Sequence, residues 1–369
     1  MNMFNIVHIN FYVICIIAFI FCGFSDKKVR RLKNKNEQLF MQISFCLLAF
    51  AMMFRSTPNY TDYMYYIKEY QSANGMTFAK CWDTKAPLIF FASSLLNKYV
   101  SHNPQIFFMS TGFFILWSFF RWINKYSDNK YISVIVFVGM LYYSTAMNIV
   151  RQYVAIAILL WGYGFLIRND RKWYHLVMFG LIVVIAFLCH TSAIAGVLWI
   201  LATFIPVPRQ RWGNFFLYGI LYVMAGRGIL FGLNLFYNEY GEAESYGNTG
   251  SNILGILVPL GIVMFVWLYQ NSLKKYKILV NSAVISAIFS IYSVIGMLIV
   301  SRIGNYLSIF NILLIPKLID VMFRRFDYKS RTRLAILMIL IYYLVMIWLN
   351  KVNYILNFDF SVIGEMFSA

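Results

Sequence analysis

Long apolar stretches alternate with short polar ones along the chain, at a spacing that predicts about twelve membrane-spanning helices. They run roughly over 4–24, 39–54, 103–122, 131–147, 149–167, 174–190, 191–206, 213–236, 252–270, 278–300, 304–322 and 334–350. The stretch from Tyr131 to Ile167 is 37 residues long and has Arg151 as its only charge. One span needs about 20 apolar residues, so this stretch predicts two helices that meet at a turn near Asn148. That places Arg151 at a membrane boundary. An arginine within the bilayer costs roughly 2.5–3.5 kcal/mol or more, so one kept there binds a partner or lines a wet cavity.

The polar segments sort by charge. Lys27–Lys35, Arg121–Lys130, Arg168–Lys172, Arg209–Arg211, Lys274–Lys277 and Arg324–Arg333 are basic, and in the predicted topology all fall on one side. Basic loops face the cytoplasm, so both termini are expected outside. Composition agrees: 61% hydrophobic and 12% charged residues, with a mean hydropathy of +0.66, exclude an ordinary soluble domain. The expected architecture is one all-α, polytopic membrane domain over 1–369. Phe4–Phe24 has no basic stretch before it and no small-residue cleavage site after it, so it reads as a retained helix. The net charge of +18 is assigned to orientation and anionic lipid rather than to nucleic acid. Five cysteines, an odd number, show neither a disulfide framework nor zinc spacing, and no metal or other cofactor is expected.

The outer side holds the candidate chemistry. Its long loop, 55–102, carries Tyr63, Tyr66 and Tyr70 at helical spacing beside Asp62 and Glu69. Aromatic rings next to carboxylates suit sugar, although tyrosines also form interfacial belts. Pro87–Tyr99 is too short for a span and is expected to lie in the interface or re-enter. A second outer loop, Asn238–Gly250, reads as a mobile lid. Arg55, Arg151, His190 and Arg302 all fall at this face, and three arginines with a histidine suit an anion such as phosphate. Each has a plainer reading: Arg55 and Arg302 as interfacial anchors, His190 as a satisfied core histidine, and its neighbours Thr191 and Ser192 as helix caps. Asn148 and Gln152 extend the polar patch around Arg151, Asn305 and Tyr306 flank Arg302, and Arg227 between two glycines is a weaker candidate. His8, His102 and His175 have no partner at metal spacing.

Met147–Ala157, reading MNIVRQYVAIA, and Phe187–Ile194, reading FLCHTSAI, resemble the signature of EpsG-like proteins, relatives of the Wzy-type polymerases of bacterial surface polysaccharide. Arg55–Tyr70 and Ser301–Tyr306, reading SRIGNY, match in the same order. The resemblance implies a multispan, GT-C-like polymerase in the bacterial cytoplasmic membrane. It would join oligosaccharide units carried on undecaprenyl diphosphate, as donor and acceptor, in capsule, exopolysaccharide or O-antigen synthesis. It also implies a chain-length regulator and other export proteins as partners. By the same resemblance Arg151 is the arginine of an asparagine-arginine-glutamine motif, His190 the histidine of a histidine-serine-alanine motif, and Arg302 the late arginine. Thr191 interrupts the second motif here, which leaves the role of Ser192 open.

Breaking the anomeric bond builds negative charge on the diphosphate, which Arg151 and Arg302, helped by Arg55, would offset. The acceptor hydroxyl must lose a proton, and His190 and Asp62 compete to take it. A flippase for lipid-linked sugar is the rival from another class, but it needs polar residues through the inner half as well. A lipid-linked sugar transferase or ligase would share the diphosphate chemistry.

Overall fold

The computed structural model describes residues 6–24, 30–56, 61–207, 253–294, 298–349 and 357–361, which are almost wholly helical outside the turns. They divide into two units, one of 1–196 with 315–369 and one of 197–314. The first unit begins with α1 (Ile6–Phe24) and α2 (Arg30–Met53), then a two-residue strand, β1 (Arg55–Ser56). Three helices of the long loop follow: α3 (Thr61–Ser72), α4 (Phe78–Trp82) and α5 (Pro87–Tyr99). Next come α6 (Gln105–Tyr126), α7 (Lys130–Gly139), α8 (Tyr142–Asn148), α9 (Val150–Leu166), α10 (Trp173–Cys189) and a 3₁₀ turn at Thr191–Gly196. The second unit holds α11 (Val197–Phe204), α12 (Ile253–Leu268), α13 (Gln270–Leu273), α14 (Lys277–Val294) and α15 (Leu298–Ser308). Most of α16 (Asn311–Met322), α17 (Tyr328–Trp348) and β2 (Asn357–Phe358) belong to the first unit.

At the centre of the first unit lies α7, whose residues from Tyr131 to Gly139 are all buried. A helix apolar all round has no solvent face to present, so its neighbours α1, α2, α6 and α17 enclose it. A Cβ on Gly139 would meet Ile339 Cγ2 at 2.5 Å and Phe11 Cζ at 2.9 Å, so α1 and α17 approach α7 there as only glycine allows. Beyond it Leu141 takes φ 67°, and α8 leaves at 49° to α7. A left-handed leucine costs about 1–2 kcal/mol, which the packing around it must repay. The chain breaks again at Ile149, so α9 begins beside Asn148, where the sequence places a turn.

The strand pair is antiparallel, with Arg55 opposite Phe358, and returns residues 357–361 to the end of α2. There Phe358 and Phe360 pack on Phe50. At the opposite end of the unit, Glu37 is buried and accepts from the Tyr328 hydroxyl at 3.0 Å, with Lys130 Nζ 3.7 Å away. In the second unit Trp199 is buried, donates to the Tyr306 carbonyl at 2.9 Å and packs edge-on against Phe310. Asn281 donates to the carbonyls of Ala202 and Ile205, both at 2.8 Å, and satisfies groups that the end of α11 leaves unpaired.

Among the described residues α1 over Val7–Phe24, α6 and α17 are long and apolar enough to cross a membrane, or five spans if each of two bent helix pairs counts as one. Twelve is therefore not reached within them, and the span expected at 213–236 lies outside them. Hydropathy counts apolar residues wherever the backbone breaks. The stretch read as 191–206 starts as a 3₁₀ turn, and α9 and α10 have only 17 residues each.

Candidate functional site

The site is assembled where side chains of α3 meet Arg151 at the start of α9. Tyr63, Tyr66 and Tyr70 fall at i, i+3 and i+7 and so form one face of α3. That face packs on the first turn of α6, with Tyr63 stacked on Phe108 at 4.6 Å and Tyr66 and Tyr70 against Phe107 at 5.7 and 6.4 Å. The Tyr70 hydroxyl donates to the Ser101 carbonyl at 2.7 Å, and Asn97 donates to the Tyr70 carbonyl at 3.2 Å. All three rings are buried, so the stripe holds α3 in place and offers no open ring to a sugar. Burial pushes the Tyr63 and Tyr66 hydroxyls to higher pKa.

The neighbouring face of α3 carries Tyr65 and Glu69, one turn apart, and meets Arg151. Arg151 Nη1 donates to Glu69 Oε1 at 2.7 Å, and its Cζ lies 5.2 Å from the centre of the Tyr65 ring and 5.8 Å from that of Tyr66. The two charged side chains are only 19% and 13% exposed, so water screens this pair far less than a surface salt bridge. Burial raises the Glu69 carboxyl above the usual range, against the downward pull of Arg151 and of a hydrogen bond from the Tyr65 hydroxyl. No side chain caps α9, and the Tyr66 ring packs beside Arg151 in its first turn, where helical N–H groups have no internal partner.

Two buried polar atoms at this junction have no hydrogen-bond partner among the described residues: Arg151 Nε and Asn148 Oδ1. A buried unpaired donor or acceptor costs about 1–3 kcal/mol, so two within one turn single this junction out as a candidate binding site. Gln152, the next residue, is buried. Asp62 is half-buried in the first turn of α3.

α9 and α10 form an antiparallel hairpin, and so Arg151, at the start of one, and His190, just past the end of the other, share an end of the bundle. A Cβ on Gly162 would meet Phe179 Cδ2 at 2.7 Å and Ile182 Cδ1 at 2.8 Å, so this glycine sets how closely the two helices pack. His190 ends α10 in an extended conformation, and its Nδ1 lies 3.2 Å from the Ser192 N–H and 2.7 Å from Ser192 Oγ. A backbone N–H only donates, so Nδ1 is the acceptor and the proton of the neutral ring sits on Nε2. Ser192 thereby fixes the histidine tautomer.

Arg55 is fully buried, donates from Nη1 to the Met52 carbonyl at 2.5 Å and lies 4.9 Å over the Phe108 ring. It neither reaches headgroups as an anchor nor opens to a ligand. It supports the platform on which Tyr63 stacks. In the second unit Arg302 is exposed on α15, Asn305 is half-buried and Tyr306 is buried. Arg227 and the loop Asn238–Gly250 lie outside the described residues. His8 pairs with the Tyr343 hydroxyl at 2.9 Å, His102 with Asn97 at 2.8 Å, and His175 accepts from the Lys172 N–H at 3.0 Å, all as packing and capping groups.

Tyr65 is the residue that the sequence pattern leaves unmarked. It is the exposed tyrosine of α3, at 50%, and its only mark in the sequence is the i, i+4 spacing to Glu69.

No curated protein and no solved structure matches the chain. The family model of the EpsG family matches residues 38–360, which include Arg55, α3, Arg151, His190 and Arg302. The chain belongs to the EpsG family, and with it to membrane proteins that have a polymerase-like role in polysaccharide biosynthesis.

Proposed function

We propose that this protein is a GT-C-like glycosyltransferase that joins oligosaccharide repeat units carried on undecaprenyl diphosphate, at the outer face of the bacterial cytoplasmic membrane. The observation that carries this reading is Arg151, held by Glu69 through Nη1 while Nε is buried and, like the neighbouring Asn148 Oδ1, has no partner among the described residues. The side edge of a guanidinium, formed by Nε and the adjacent amino group, suits two oxygens of a diphosphate. Asn148 Oδ1 accepts a hydroxyl of the attached sugar. His190 donates from Nε2 to the leaving oxygens, because its other nitrogen is already occupied as an acceptor. The half-exposed Tyr65 ring takes the sugar-stacking role expected of Tyr63 and Tyr66, which are buried. The role expected of Arg302 rests on the sequence, and Arg55 acts indirectly through its packing.

Deletion of the gene followed by analysis of lipid-linked glycans tests the reading. Single repeat units accumulating on the outer leaflet support a lost polymerase. Units accumulating on the inner leaflet indicate a flippase, and unaltered polymer with no accumulated units overturns the proposal.

A further inference from the structure

The reaction proposed above needs a group to take the acceptor's proton, and three residues near this end of the bundle offer themselves. His190 is excluded by its own hydrogen bonds, since the Ser192 N–H occupies the nitrogen that would accept. Asp62 shares α3 with Glu69 but stands at the far end of the Tyr65–Glu69 face, two turns from the carboxylate that touches Arg151. Glu69 alone is in direct contact with the cation assigned to the leaving group, at 2.7 Å.

We propose that Glu69 is the catalytic base, held in reserve by Arg151 until the donor's diphosphate claims that arginine. The inference rests on the polymerase reading. In the substrate-free protein the Glu69 carboxylate on Nη1 is the anion paired with Arg151, and a diphosphate that takes the Nε edge draws on the same positive charge. The Tyr65 ring lies 5.2 Å from Arg151 Cζ and is half exposed, so it can turn from the arginine onto the incoming sugar. Once diphosphate oxygens engage the guanidinium, Glu69 loses part of its stabilisation as an anion and becomes more basic. The acceptor O–H bond then breaks, its proton passing to a Glu69 carboxylate oxygen. The freed oxygen bonds to the anomeric carbon, and the bond from that carbon to the diphosphate breaks, its electron pair leaving on the diphosphate. Donor binding thus activates the base, so an acceptor hydroxyl is not deprotonated at an empty donor site.

The ionisable groups around Glu69 are Arg151 from α9 and Asp62, Tyr65 and Tyr66 from its own helix. Burial already holds the carboxyl above the usual range with Arg151 pulling it down, so release from Arg151 moves it further up. A base works in its deprotonated form, so activity rises with pH through this ionisation. The acidic limb of kcat, which reports the substrate complex, therefore lies at higher pH than that of kcat/KM, which reports the free enzyme.

The test uses the full chain in lipid nanodiscs, lipid-linked units extracted from cells lacking it, and undecaprenyl diphosphate as the binding probe. Glu69→Gln is expected to lower kcat about 100-fold or more, the usual contribution of a general base, and to abolish the acidic limb. Undecaprenyl diphosphate binding is retained, which also reports that the variant is folded. Glu69→Asp is expected to recover part of the rate and restore the limb. A Glu69→Gln enzyme within tenfold of wild-type kcat, or one with the limb unchanged, overturns the assignment and leaves the polymerase reading standing. A wild-type protein that builds no polymer from these units overturns the polymerase reading itself.

Discussion

Arg151→Lys separates the two things that Arg151 does. In the folded protein the guanidinium pairs with Glu69 at 2.7 Å and lies over the Tyr65 and Tyr66 rings. A lysine keeps the charge and pairs with Glu69 through its ammonium, so the fold loses chiefly the flat contact with the rings, about 0.5–1 kcal/mol. What it cannot reproduce is the Nε edge. A charge-assisted hydrogen bond contributes about 1.5–3 kcal/mol, and at about 1.4 kcal/mol per tenfold that loss lowers polymerisation by roughly 10- to 150-fold. The assay pairs a thermal melt in detergent with polymer length and rate in cells expressing only the variant. Arg151→Gln is the control, because it leaves Glu69 buried without its cation. That carboxyl then holds its proton more tightly folded than unfolded. The resulting destabilisation is absent below the unfolded carboxyl's pKa of about 4.3 and grows as pH rises above it. A lysine variant that polymerises within threefold of wild type refutes the forked diphosphate contact. A glutamine variant whose melting point is independent of pH refutes the buried pair.

Three further outcomes follow from the same geometry. Tyr66→Ala removes the ring that packs on Phe107 and beside the Arg151 guanidinium, and is expected to cost about 3–5 kcal/mol in a thermal melt, with lower polymerisation. His190→Ala is expected to lower kcat at least tenfold, whereas Ser192→Ala lowers it less than threefold, because the Ser192 backbone N–H still fixes Nδ1; steady-state rates on purified protein decide this. Gly162→Ala forces Phe179 and Ile182 away from α9, so a loss of about 1–3 kcal/mol is expected together with reduced polymerisation, since the same hairpin carries Arg151 and His190.

Membrane character, an all-helical fold and the turn beside Asn148 were legible in the order of residues alone, because hydropathy and a single charge in a long apolar run depend only on composition and spacing. The same pattern marked Arg151 and His190 as candidates, since a cation or an imidazole in such a run needs a polar partner. Helix lengths were beyond it: the left-handed Leu141, the break at Ile149 and the 3₁₀ turn after His190 are set by packing around each position. The tyrosine stripe was legible as a stripe, but its contact with Phe107 and Phe108 was needed to turn it inward and leave Tyr65 facing out. Arg55 and Arg151 are both arginines beside a helix end in an apolar sequence. Folding closed one beneath Phe108 and set the other against Glu69, 82 positions away along the chain, with one nitrogen still unpaired. Pairing over such a distance is a property of how the fold brings α3 to the start of α9, and no local pattern encodes it.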